Sequence, residues 1–295
     1  MSDPEFFDLV YVPLEAKGMI AGFISLAATG LLVLLGLYFK IHSTILGKMV
    51  LIVNAADFVY ILMKPFSLIF HPTADWNCKL VSAISHFALM MSFIWGAFFA
   101  HMLYTTVKRC SIDAITVHIK FYNIISLIFS SLLAIGVLIS DYVFYSNDAG
   151  TCVHRLWVRK FDPSLTFLML IPTFGLTFLS LMWYLLGAIN LKKYDPNMRS
   201  IELLPLFMYP AINMISYFPC LITNIMITYA VFPSGFMGYL LMNLFQLHGF
   251  FNVLVFSIPM MARRICQKDD QRTETKSRLD TVSELPSIHE SLLGL

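Results

Sequence analysis

A chain of 295 residues with 58% hydrophobic and 13% charged residues lies far below the charge content of a soluble domain, about 25%. Composition therefore excludes an ordinary soluble protein and predicts an integral membrane protein. The formal charge of +2 gives no electrostatic ground for a nucleic-acid partner, so the placement of charges says more than their sum.

The chain opens with an acidic segment, residues 1–17, holding Asp3, Glu5, Asp8 and Glu15. It lacks the basic n-region and small-residue cleavage site of a secretory signal, so the first apolar helix, Gly18–Phe39, is expected to act as its own uncleaved insertion signal. The second helix is predicted over Met49–Phe70. The third begins near Trp76, runs without an acid or base from Leu80 to Val107, and closes on Lys108-Arg109. At about 1.5 Å per residue its apolar part is about 42 Å long, more than the roughly 30 Å hydrocarbon core, so it must tilt. It also carries Ser82, Ser85, His86, Ser92, His101, Tyr104 and Thr105. Lipid offers such groups no partners, so this helix is expected at the centre of a bundle, enclosed by others.

A fourth helix is predicted over Ile119–Ser140, then a polar loop over Asp141–Pro163, then a fifth helix over Leu165–Leu191 bent at Pro172. From Leu203 to Ala262 there is no Asp, Glu, Lys or Arg, twice the length of one crossing. The run divides at Pro233-Ser234-Gly235 into a sixth and a seventh helix. The predicted fold is an all-α membrane protein: a seven-transmembrane helix bundle over residues 18–265, followed by a charged, Ser- and Thr-rich tail, 266–295, that reads as disordered. Basic residues orient it. Lys40, Lys48, Lys108, Arg109, Lys120, Lys192, Lys193, Arg199, Arg263 and Arg264 fall on one face, and Lys17, Lys79, Arg155, Arg159 and Lys160 on the other. The positive-inside rule puts the N-terminus outside and the tail in the cytosol.

The same topology puts Cys78 and Cys152 on the outer, oxidising face, with Cys110 and Cys266 inside and Cys220 within helix six. A Cys78–Cys152 disulfide is the one outer pair it allows; two free thiols are the alternative. Asp57, near the middle of helix two, carries an insertion penalty of roughly 2.5–3.5 kcal/mol and must face the bundle. Asn54, one turn before it, and Asn252 in helix seven are its expected partners, in either a cation- or proton-sensitive hinge or a static clasp. Lys64 lies two turns farther out, where it either snorkels to the headgroups or turns inward to meet an anionic ligand. Ser85 and His86 would line the same outer cavity, unless His86 is a packing histidine with a hydrogen bond.

Several stretches together resemble one family. Tyr209-Pro210-Ala211-Ile212, followed by Pro219 and Asn224, is similar to the helix-six pattern of the cyclic-AMP receptor-like G-protein-coupled receptors. Leu247-His248-Gly249-Phe250-Phe251-Asn252 through Phe256 resembles their helix seven, with His248 in place of glutamine and Phe256 in place of tyrosine. Trp95–Tyr104 and the helix-two stretch ending at Asp57 resemble it too. The match spans the bundle. The acidic-Arg-aromatic triplet of rhodopsin-like receptors is missing: the corresponding region reads His101-Met102-Leu103-Tyr104.

The resemblance implies a plasma-membrane receptor that binds a small extracellular ligand and activates a heterotrimeric G protein, with His248 in the polar network. Arg155 and Arg159, in the second outer loop, would steer an anion to the mouth or are ordinary solvated charges. Pro205, Pro210 and Pro219 each remove a backbone hydrogen bond, so helix six is expected to hinge, chiefly at Pro210 and Pro219. Its swing would open a cytosolic cleft rimmed by Lys108, Arg109, Lys192 and Lys193, which contact either the G protein or lipid headgroups. Ser and Thr residues of the tail are candidate phosphorylation sites for a receptor kinase or arrestin-like partner; a plain solvated tail is the alternative. No cofactor is implied. An enzyme is disfavoured, because His86 and His101 stand about 22 Å apart along their helix and no His-x-x-x-His pair is present to share a metal. A transporter or channel is the competing function, with repeats, broken helices or more intramembrane charges as its usual marks.

Overall fold

A computed structural model describes the backbone at residues 4–69, 75–109, 118–140, 143–146, 151–154 and 166–191, and at scattered positions from 208 to 256. Side chains are described for part of these, from Ile20 onward. The chain divides into two units, Met1–Val255 and Phe256–Leu295, and the helices and site below belong to the first.

Helix α1 spans Pro4–Tyr38 and α2 spans Ile45–Ile69. The predicted first helix thus starts much earlier than Gly18, because the acidic segment continues the helix instead of preceding it. A 3-10 turn, Ile41–Ser43, joins α1 to α2. Lys40 takes the left-handed conformation there, with φ 53°, where glycine usually ends a helix. Thr44 then caps α2, since its Oγ accepts the Gly47 N–H at 3.1 Å. Gly47 has no room for a side chain: a Cβ would lie 2.0 Å from the Ile41 carbonyl oxygen.

Helix α3 spans Asp75–Arg109 and α4 spans Ile119–Ile139. The segment expected to be a plain loop then forms an antiparallel hairpin, β1 (Val143–Ser146) with β2 (Thr151–His154), pairing Tyr145 with Cys152. A π-helical turn, Thr166–Leu170, leads into α5, Ile171–Leu191. Among the described residues five helices are long and apolar enough to cross a membrane: Ile20–Tyr38, Ile45–Met63, Trp76–Lys108, Ile119–Ile139 and Phe167–Asn190. The protein is thus a membrane-embedded, predominantly helical bundle.

In the apolar 18-residue window of the Trp76–Lys108 span 72% of the residues are buried, against 17–44% in the corresponding windows of the other four, which places α3 at the centre. It packs on α2, α4 and α5, while α1 packs on α2. Of its polar positions His86, Ser92 and Thr106 are buried, and Ser82, Ser85, His101, Tyr104 and Thr105 are half-buried. The faces turned out are apolar: Phe121, Ile124, Leu132 and Ile139 of α4, Phe167 of the π-helical turn, and Phe174 and Phe178 of α5. Such faces suit hydrocarbon, where apolar exposure carries no hydration cost.

Contacts fix the directions. Cys78 and Ala83 meet Val137 of α4 and Leu168–Leu170 at the start of α5. At the other end, His101 meets Tyr122 and Trp183, and a Cβ on Gly187 would lie 3.3 Å from Leu103. Helix α4 is therefore antiparallel to α3, and α5 parallel to it. Glycines let α1 and α2 approach closely: a Cβ on Gly36 would come within 2.4 Å of Leu51, and one on Gly30 within 3.0 Å of Phe58. Gly22 faces both Ile61 of α2 and Gln246. Residues 248–255 are helical, and their contacts with α1 and α2 run parallel to the first and antiparallel to the second.

Candidate functional site

The buried acid sets the terms of the site. Asp57 is only 3% exposed, and its carboxylate needs donors from another helix. Asn252, fully buried, donates its side-chain N–H to Asp57 Oδ2 at 2.8 Å. The same Nδ2 stands 2.9 Å from His248 Nε2, and that nitrogen is 3.4 Å from Asp57 Oδ2. His248 and Asn252 are one turn apart, so a single helical face presents both to α2. Asn54 is fully buried as well, but its amide donates to the Val50 carbonyl of its own helix at 2.8 Å. The structure therefore joins three of the four expected network residues, and turns the donor end of the fourth back onto α2.

Gly249 lets this face come close. A Cβ there would lie 2.6 Å from Thr29 Cγ2, 3.2 Å from Ser25 Oγ and 3.3 Å from Ile61. Ser25 uses the proximity: its fully buried hydroxyl accepts the Phe250 backbone N–H at 2.8 Å. A backbone donor inside a helix is thus served by a side chain of α1, just past the turn at Leu247. The sequence gives little sign of this role for Ser25. Ser25 and Thr29, one turn apart in an apolar helix, were the only signal.

At the Cys78 end, His86 is buried and its Nε2 donates to the Leu168 carbonyl at 3.0 Å. Pro172 explains why that oxygen is available. Proline has no N–H for the carbonyl four residues before it, and the residue four before Pro172 is Leu168. His86 is thus engaged in packing by a hydrogen bond, the alternative weighed against a ligand contact. Ser85 beside it is half-buried. Cys78 is fully buried and disulfide-bonded. The side chains of Lys64, Cys152, Arg155 and Arg159 lie outside the described residues, so their expected roles carry no geometry.

At the opposite end, His101 Nδ1 and the Tyr122 hydroxyl are 2.5 Å apart, with the imidazole edge-on to Trp183 at 4.7 Å. Tyr122 stacks on Phe98 at 4.3 Å. Lys108 is exposed, and its Nζ lies 5.4 Å from the Tyr104 ring centroid. The Arg109 side chain, Lys192, Lys193, Pro210 and the tail lie outside the described residues. Pro219 is buried and helical. Tyr209, which precedes Pro210, is fully buried against Phe99 of α3, ring centroids 4.2 Å apart. Among the described residues no three His, Cys, Asp or Glu side chains converge as metal ligands. Compared with protein-family models and with curated proteins, the sequence matches none.

Proposed function

We propose that this protein is a seven-helix receptor of the plasma membrane, with its N-terminus outside. It binds a small ligand at the Cys78 end and activates a heterotrimeric G protein at the Lys108 end. The resemblance to cyclic-AMP receptor-like receptors motivates the reading, and the directions of the helices support its helix count. Helix α2 runs against α1 and residues 248–255, α4 runs against α3 and α5, and the short connection from Ile69 to Asp75 turns α3 against α2. A chain leaving α5 has to reverse its direction before residue 248, which fits one further crossing by the stretch that holds the helical positions between 208 and 222. A disulfide from Cys78 to Cys152 fits the pairing of Tyr145 with Cys152 in a hairpin whose β1 strand packs on α3.

One observation carries the mechanism. Tyr209, next to Pro210, is packed on Phe99 toward the basic end of α3. An outward swing of the proline-bearing helix must part those two rings and open the cleft beside Lys108. The test is nucleotide exchange: purified protein in bilayers should accelerate exchange on a Gα subunit when an agonist from a screen of small anions, cyclic nucleotides among them, is added. No acceleration across the screen, together with solute flux or ion current in liposomes, would instead make the protein a transporter or channel.

A further inference from the structure

We infer that the turn between α1 and α2 is a docking site for the phosphate headgroup of an anionic phospholipid, held by Lys40 and Lys48 with His42 between them. The inference needs only a chain embedded in a bilayer and does not depend on the receptor reading. The apolar span of α1 ends at Tyr38 and that of α2 begins at Ile45, so residues 39–44 join two crossings. A connection so short cannot leave the membrane surface, and it is held at the depth of the headgroups. Lys40, His42, Ser43 and Thr44 are exposed there, as is Lys48 in the first turn of α2. Residues 38–48 contain no acid. Tyr38 and Phe39, 79% and 43% exposed, stand edge to face beside Lys40 and suit the boundary between hydrocarbon and headgroups.

The bases stand on a fixed turn. The Ser43 N–H donates to the Lys40 carbonyl at 3.0 Å, the Thr44 N–H to that of Ile41 at 3.2 Å, and the Lys48 N–H to that of Thr44 at 3.0 Å. Ile41, between the bases, is 5% exposed and anchors the turn on the bundle. Lysines on a fixed backbone lose less freedom on meeting a phosphate than lysines on a loose strand. Their charge is also placed against the local rule. The first turn of a helix favours an acid, yet that of α2 holds Lys48 and no acid. Helix α4 starts at the same end in the same way, with Lys120 and Phe121 exposed and no acid in its first turn. Asp57, buried in the bundle, is the one acid among the described side chains, and at the opposite end the described side chains include a single base, Lys79. An anionic headgroup complements the basic end, whereas a zwitterionic one brings its own cation.

The test is the lipid that the protein keeps. The full chain is assembled in nanodiscs of equal parts phosphatidylcholine and phosphatidylglycerol, released into mild detergent and weighed by native mass spectrometry. Phosphatidylglycerol should be retained at least about threefold over phosphatidylcholine. In K40G/K48Q that preference should fall to near parity, while K79Q, at the other end, should keep it. Glycine fits the φ of 53° at residue 40 and should leave the turn intact. If the double variant nonetheless melts early, K48Q alone should lose about half of the preference. Equal retention of both lipids by the parent, or an unchanged preference in both variants, overturns the inference. So does a melting temperature raised by inorganic phosphate as much as by dispersed phosphatidylglycerol, which would give the turn to a soluble anion. Loss of nucleotide exchange in K48Q at unchanged lipid preference would give it to the Gα subunit and overturn the inference too. Lipid retention is read without agonist or Gα, so its failure and that of the receptor reading are separate results.

Discussion

Single side chains decide most of what is unusual in this bundle. The cost of an acid in helix two is enough to place Asp57 inward; of the two partners expected for it, Asn252 donates to it and Asn54 donates to the Val50 carbonyl instead. His248 entered only through a resemblance, since a histidine in an apolar run announces no particular neighbour. Ser25 stayed hidden, because a serine on α1 gives no sign that a backbone N–H on a distant helix needs it. Two residue predictions follow from these contacts. Gly249→Ala should lower the melting temperature by several degrees in detergent, because its Cβ would lie 2.6 Å from Thr29 and overpacking typically costs about 1–3 kcal/mol. An unchanged melt would show that the helices can part there freely. Ser25→Ala should cost about 1–3 kcal/mol by stripping the Phe250 N–H of its acceptor, measurable as faster hydrogen exchange at that amide.

At the level of elements, helix spans were legible to within a few residues wherever apolar length alone defines them, as in α3 and α4. Apolar length does not reveal the π-helical turn that precedes Pro172, in which the Leu168 carbonyl is taken by His86. Two strands of four residues are too short to stand out by alternation, and the hairpin escaped notice. The link between Pro172 and His86 is open to a double-mutant cycle. His86→Ala should destabilise by about 1–3 kcal/mol, since it leaves the Leu168 carbonyl unsatisfied. Pro172→Ala restores an N–H four residues after Leu168, so in that background the same change should cost markedly less. Strict additivity of the two substitutions would mean that the histidine stabilises α5 in some other way.

The molecule as a whole is organised around α3, and the polar residues of that helix foretold its place. The directions of the neighbours came only from contacts such as Val137 with Cys78 and Gly187 with Leu103, which no periodicity encodes. If the receptor reading holds, Phe99→Ala should raise basal nucleotide exchange on Gα several-fold, because it removes the ring that holds Tyr209 in place. Basal exchange at the parent level would leave that contact without a role in restraining activation. Helices α4 and α5 are 22% and 17% buried over their apolar windows, and among the described residues they reach the bundle chiefly through α3. Natural variation should be distributed accordingly: one apolar residue can replace another on most of the outward surface of α4 and α5, whereas drift along α3 is confined to a few of its positions. Over long descent the rim of this protein can be rewritten by whatever membrane it inhabits, while its axis stays nearly fixed.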